Sequence, residues 1–414
     1  MRFFIGFFLT LGFFLIDSSQ AIALKYDVCF DCKIQTIKSA IKRAKSGDEI
    51  FIHKGTYLES DIEIDKSLKI TGEKGSIIDG KNIGTIIAVK ADNVEISNLT
   101  LKNVGYEHIK DYAAILVHKS NHFVIKNVTM EKVLTGIKIE KSKNGIIANN
   151  IIFSGNQSEI IIASGISVWH SSDLKIKNNT VYGMRDGIYF EFVKDSTIEN
   201  NTAYKNYRYG LHFMFSNNNS YINNDFFENG AGVAVMFSKY IIMKKNKFRN
   251  NWGSASYGLL LKEIYDADIT ENKFFKNTVA IYVEGSTRVN YFKNQFHENG
   301  WAIKVAGACY KNIVKKNNFI GNSFDVSYHS NINDNEFSNN YWSSYTGYDL
   351  NKDAIGDVPY RPVKLFSFLV ARYPESIILH RSLFIDLINF SEKVSPIFTP
   401  DNIIDKNPAM REYE

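Results

Sequence analysis

Two short stretches of this chain carry side chains suited to soft-metal chemistry. They read Gly210-Leu-His-Phe-Met-Phe215 and Gly232-Val-Ala-Val-Met-Phe237. In an extended strand every second residue points the same way. Leu211, Phe213 and Phe215 therefore share one side with Val233, Val235 and Phe237, which is expected to be the interior. His212, Met214, Ala234 and Met236 share the other side. Exterior methionines beside an imidazole are unusual, because Met prefers a core. Two readings stand: transient ligands for Cu(I), which soft thioether sulfur and imidazole suit, or an adhesive patch for a partner protein.

The same parity turns Tyr189, Glu191, Lys262, Tyr282 and Glu284 outward, and Tyr189, Glu191 and Trp252 are candidate docking residues. A sugar-binding protein, polysaccharide lyase or epimerase is the contrasting reading. General acid/base work on a uronic acid calls for clustered carboxylates, and Asp186, Glu191 and Glu284 form no tight cluster in the sequence. Ser, His and Asp are too dispersed for a triad.

Three further groups could hold something. Asp349, Asn351, Asp353 and Asp357, with Gly356 beside them, partly match a calcium loop. The closing Glu of an EF-hand is missing, so a turn held by Asx hydrogen bonds fits equally well. Cys29 and Cys32 are either a disulfide or a soft-metal ligand pair, and the disulfide is favoured because no second Cys pair completes a zinc site nearby. Cys309 lies inside a repeat and is expected to be a small buried residue.

The elements that position these groups repeat. Strands starting at Gly187, Gly210, Gly232, Gly258 and Ala280 are spaced 23, 22, 26 and 22 residues apart. An Asn followed two places later by a bulky residue recurs at Asn224, Asn246, Asn272, Asn294 and Asn317. A second Asn column runs through Asn229, Asn251, Asn277, Asn299 and Asn322. Three columns in step mean a solenoid, and a period near 22 with no helical spacing means an all-β, right-handed parallel β-helix. Its rungs should stack at roughly 4.8 Å, with each Asn able to bond its copy one rung away.

The rest of the chain frames this solenoid. Residues 1–23 read as a secretory signal peptide cleaved after Ala23, which places the mature protein in the periplasm. The apolar stretch is short for an uncleaved anchor. Residues 24–345 form the β-helix, with an N-terminal capping helix over Ile34–Ala44. Residues 346–414 form a C-terminal loop and a helical docking extension. There Ile377, Phe384, Ile385 and Ile388 make one apolar stripe, and Leu379, Leu383, Leu387 and Phe390 a second, so the helix needs two partners. All six prolines lie at Pro359 or beyond, as an unbroken stack of ladders requires. The net charge of +5 is spread along the chain without a basic block, which argues against nucleic acid as the main partner.

Six longer blocks carry a resemblance: Arg185-Asp-Gly-Ile-Tyr-Phe-Glu-Phe192, Arg208-Tyr-Gly-Leu-His-Phe-Met-Phe-Ser216, Asn229-Gly-Ala-Gly-Val-Ala-Val-Met236, Tyr257-Gly-Leu-Leu-Leu-Lys262, Gly321-Asn-Ser-Phe-Asp-Val326 and Gly356-Asp-Val-Pro-Tyr-Arg-Pro-Val363. Together they resemble the NosD family over nearly the whole mature chain. The resemblance implies an exported β-helix subunit of an ABC-type complex, with a membrane permease and, through it, a cytoplasmic ATPase. It implies a part in assembling the copper-sulfur centre of nitrous oxide reductase, alongside a copper chaperone, with no enzymatic activity and no tightly bound cofactor. On that reading His212, Met214 and Met236 face the chaperone or the reductase, while Leu379, Leu383, Phe384, Leu387 and Ile388 meet the permease. The Cys29/Cys32 pair is not part of the family pattern.

Overall fold

The computed structural model describes residues 23–107, 110–155, 162–328, 334–394 and 403–414. The expected signal peptide therefore lies outside the described residues, apart from Ala23. Three parallel sheets of 14, 12 and 13 strands form the three walls of a β-solenoid. Each rung contributes one strand to each wall, and the strand after it in the same wall comes one rung later.

Alternation explains the walls. On the 12-stranded sheet Ile188, Phe190, Leu211, Phe213, Val233, Val235, Leu259, Leu261 and Ile281 point inward and are fully buried. Their neighbours point to the outside. The Gly column has a steric cause: a Cβ on Gly210 would sit 2.8 Å from the Gly232 carbonyl oxygen, and one on Gly232 would sit 2.4 Å from that of Gly258. Only glycine lets the rungs close to ladder distance there.

The Asn-x-bulky marker records two buried stacks. Phe226, Phe248, Phe274, Phe296, Phe319 and Trp342 pile face to face, with centroids 4.1–5.7 Å apart. Beside them Asn224, Asn246, Asn272, Asn294 and Asn317 are fully buried, and each donates its backbone N–H and Nδ2 to Oδ1 of the next asparagine. A buried amide costs free energy unless its donors and acceptor are met, and the repeat meets them. The left-handed residue of each corner is not the ladder Asn but the one before it: Asn223, Lys245, Glu271, Lys293 and Lys316 have φ of 53–57°.

Both ends of the core are covered. Helix α1 (Ile37–Arg43) buries Ile37, Ala40 and Ile41, and its first N–H groups donate to Glu59. Thr36 caps it, accepting from Ser39. Cys29 and Cys32 are joined by a disulfide at the start of the first rung, and Cys309 is buried.

At the far end the helical stretch is not continuous. Helix α2 (Leu365–Arg372) stops before Pro374, which cannot donate into a preceding turn. A 3-10 turn (Pro374–Leu379) follows, and α3 spans Leu383–Val394. Ile385 packs with Phe366 and Val370 of α2 and with Phe324 of the last rungs, with Ile388 and Trp301 at the edge. The chain then turns back: Ile403 and Asp405 are fully buried, and Asp405 sits directly on the last asparagine of the ladder.

Candidate metal and docking site

The outer face of the 12-stranded sheet brings the soft donors together. Met214 pairs with Met236 in register on consecutive rungs, between Glu191 below and Lys262 above, and both methionines are partly exposed. His212 points to the same side but is only 6% exposed, not the open imidazole that parity suggested. The rings of Tyr189 and Tyr209, with centroids 5.1 and 4.7 Å from it, close over it. Neither ring nitrogen has a hydrogen-bond partner. Burial first, then the Arg208 and Arg185 guanidinium groups, pulls its pKa down to about 4, so the imidazole is neutral at pH 7. A neutral ring with orphaned nitrogens, two residues from a thioether pair, is a donor set that fits Cu(I).

Phe215 and Phe237 are corrections to the expected interior. The strands end at Met214 and Met236, and the next residue turns the corner in left-handed backbone, with φ of 49° and 52°. That throws each phenyl ring outside, where it is about 40% exposed. Corner residues on neighbouring rungs extend the row: His170 stacks on Phe192 at 4.6 Å, Phe192 on Phe215 at 5.3 Å, and Phe215 on Phe237 at 5.1 Å. Bulky residues rarely take positive φ. In other rungs the same corner holds Lys119, Lys141 or Glu263. Aligning Phe215 with Lys141 is the signal that would have placed it outside.

The carboxylates of this face are occupied. Glu191 accepts from the Tyr189 hydroxyl at 3.1 Å, and burial, then Glu191, pushes that phenol up to about 12. Glu284 lies 3.6 Å from the Lys262 ammonium. Asp186 is 1% exposed between Arg185 and Arg208, at 3.5 and 4.0 Å, and burial raises its carboxyl above the usual range. The sequence marks Asp186 only as one of the unclustered carboxylates of this face; its burial between two guanidinium groups depends on contacts across rungs. Asp186 and Glu191 stand at opposite ends of one strand and Glu284 four rungs away, so they do not form the close facing pair that glycoside hydrolysis uses.

The remaining candidates lie elsewhere. Trp252 is 58% exposed on its loop. In the 349–357 loop, Asp349 accepts from the N–H groups of Asp353 and Ala354, Asp353 from Ile355, and Asp357 from Leu350. These Asx bonds give the loop the turn that its Asp and Asn residues favour. Among the described residues no three His, Cys, Asp or Glu side chains are placed to hold a metal ion. On α3, Leu383, Phe384, Leu387 and Phe390 are exposed, as is Leu379 before it, while Ile388 leans on the solenoid. Among the described residues no helix is long and apolar enough to cross a membrane.

Comparisons with known proteins agree with this architecture. A family model described as periplasmic copper-binding protein (NosD) matches residues 154–347, which contain the methionine pair and the aromatic corner. A probable ABC transporter binding protein NosD of Stutzerimonas stutzeri is 25% identical over 380 residues, covering 86% of this chain and 85% of the relative. One of the same description from Pseudomonas aeruginosa is 26% identical over 377 residues, covering 84% and 85%. Among solved structures, a GH87 alpha-1,3-glucanase catalytic domain superposes with TM-score 0.64 at 13% identity, over 77% of this chain and 69% of its own. The surface adhesin PfbA of Streptococcus pneumoniae gives 0.56 at 14%, over 70% and 86%. These structural likenesses show a shared solenoid and nothing finer. Across its central rungs the chain is similar to the NosD family, and along most of their length it is similar to two NosD relatives.

Proposed function

We propose that this chain is an exported accessory protein of nitrous oxide reductase maturation, acting as the periplasmic binding subunit of an ABC-type transporter. Its part is to present a surface on which the copper chaperone, the reductase or both dock while the reductase's copper-sulfur centre is assembled. Work would come from ATP hydrolysis by the transporter's ATPase, reached through the permease. The protein performs no bond chemistry of its own on this reading, and the relatives' description as binding proteins supports that.

The observation that carries the reading is the in-register pair Met214 and Met236 beside a His212 whose ring nitrogens are unpartnered. Cu(I) would be held there by Met214 and Met236 sulfur, with a His212 nitrogen reached by a shift of the covering tyrosines. The thioethers are half open, so the ion can arrive from and leave to a partner. The α3 face of Leu383, Phe384, Leu387 and Phe390 is the surface that meets the permease.

The test is a competition titration with a Cu(I) chelator. Met214→Leu with Met236→Leu keeps apolar area and removes both sulfurs, so copper affinity should fall at least tenfold while the melting temperature holds. Unchanged affinity would leave the face as a docking patch without copper.

A further inference from the structure

The Cys29–Cys32 disulfide closes a turn that the backbone already closes. Cys32 N–H donates to the Cys29 carbonyl at 3.3 Å, Cys29 N–H to the Ile34 carbonyl at 3.2 Å, and Gln35 Nε2 to the Phe30 carbonyl at 2.8 Å. Beneath the turn Val28 and Ile34 are buried, and the strand Lys25–Val28 is in full register with Glu49–Ile52. As a brace the bond is therefore redundant. The two Cα atoms are 5.0 Å apart, and hydrogen bonds would hold them near that distance without the S–S bond. Reduction would leave two adjacent thiols in a ready chelate.

The turn is also reachable. Both cysteines are half-buried rather than enclosed, and Phe30 between them is 55% exposed, resting on Tyr57 with centroids 5.3 Å apart. Cys309 is buried inside a distant rung, so the pair has no internal exchange partner. Any reduction must come from an outside thiol.

We infer that Cys29 and Cys32 form a second, redox-gated metal site, closed as a disulfide and open as a dithiolate for one Cu(I) ion. The opening is a thiol–disulfide exchange with a dithiol donor of the Cys-X-X-Cys class. One donor thiolate attacks a sulfur of the pair and forms a mixed disulfide. The donor's second thiolate then displaces the chain, leaving the donor oxidised and Cys29 and Cys32 reduced by two electrons with two protons. Cu(I) binding releases those two protons and forms two copper–sulfur bonds.

The chemistry of the surroundings selects the ion. Zinc in a structural site takes four ligands, and the remaining cysteine is far away. His53 donates its backbone N–H to the Val28 carbonyl, next to Cys29, but its Nε2 is already 2.9 Å from Asp27 Oδ1. Two thiolates alone suit a soft monovalent ion, which is satisfied by two sulfurs. This site does not depend on His212, Met214 or Met236.

The experiment uses the full mature chain under anaerobic conditions, as isolated or reduced with dithiothreitol and then desalted, titrated with Cu(I) delivered as its bicinchoninate complex. The reduced protein should take one more equivalent of Cu(I) than the oxidised protein. Cys29→Ser with Cys32→Ser should take up no more Cu(I) after reduction than before it, and Met214→Leu with Met236→Leu should keep the extra equivalent on reduction. Equal uptake by oxidised and reduced wild-type protein would overturn the inference. So would a disulfide that yields no free thiols to a colorimetric thiol reagent while the far-UV circular dichroism stays native. Because the wild-type comparison needs no substitution, a folding defect in the serine variant leaves the result readable.

Discussion

Asp405 occupies the place of the next asparagine above Asn340. Its Oδ2 accepts from the Asn340 backbone N–H at 2.9 Å, from Asn340 Nδ2 at 3.0 Å and from the Trp342 indole N–H at 3.0 Å, while Oδ1 accepts from Asn339 N–H at 3.1 Å. The ladder has a direction, since every rung donates forward to the next Oδ1. Its last member needs an acceptor and no donor, which is what a carboxylate provides.

Asp405→Ala should therefore leave buried donors without partners and cost about 3 kcal/mol locally, whereas Asp405→Asn keeps one acceptor and costs about 1 kcal/mol. Hydrogen exchange followed by mass spectrometry reads this rung by rung. Peptides across 334–345 should exchange faster in the alanine variant while those across 86–105 stay protected. Uniform protection in both regions would show that the cap is dispensable.

His212 gives the acid limb of stability a specific source. Its folded pKa of about 4 lies below the unfolded value near 6.5. Between those values the unfolded chain binds the extra proton, so this group's stabilisation is present above pH 6.5 and is lost as the pH falls toward 4. The loss is on the order of 2 kcal/mol. Urea denaturation at pH 7 and pH 4.5 should show a smaller difference in His212→Leu than in the wild type. An equal difference would mean that the ring is open to protonation in the folded state.

Much of this architecture was legible from spacing alone. The Gly, Asn and Phe columns are dictated by rung contact, so they recur and can be counted. Helix α1 announced itself through Ile37, Ala40 and Ile41. Corners were harder to read, because a left-handed residue interrupts strand parity without any change in hydrophobicity. Phe215 and Phe237 were assigned inward for that reason. Burial of His212 was invisible because it depends on where the Tyr189 and Tyr209 rings lie. The return of Asp405 onto Asn340 joins residues 65 apart, and no local pattern records it.

The aromatic corner should trade stability for recognition. Three phenylalanines in left-handed backbone are each strained by about 1 kcal/mol, yet they remain exposed in a row beside Met214 and Met236. Phe215→Asn should hold or raise the melting temperature and weaken partner binding in a pull-down with the chaperone or the reductase. A clear drop in melting temperature would instead mark the row as a structural brace.

Helix α3 separates docking from folding. Serine at Leu383, Leu387 and Phe390 together should leave the melting curve unchanged and abolish co-purification with the permease. Deleting residues 363–414 is a poorer probe, since it also removes Asp405 and opens the ladder. Retained co-purification in the triple variant would move the docking surface onto the rungs.

The most direct measurement of the central claim is the copper content of nitrous oxide reductase purified from a host lacking this gene, taken together with its rate of nitrous oxide consumption. The account expects a reductase that is made and exported but lacks part of its copper and is inactive. The wild-type gene should restore both, and the Met214→Leu, Met236→Leu gene should not. A fully loaded and active reductase in the deletion host would contradict the account.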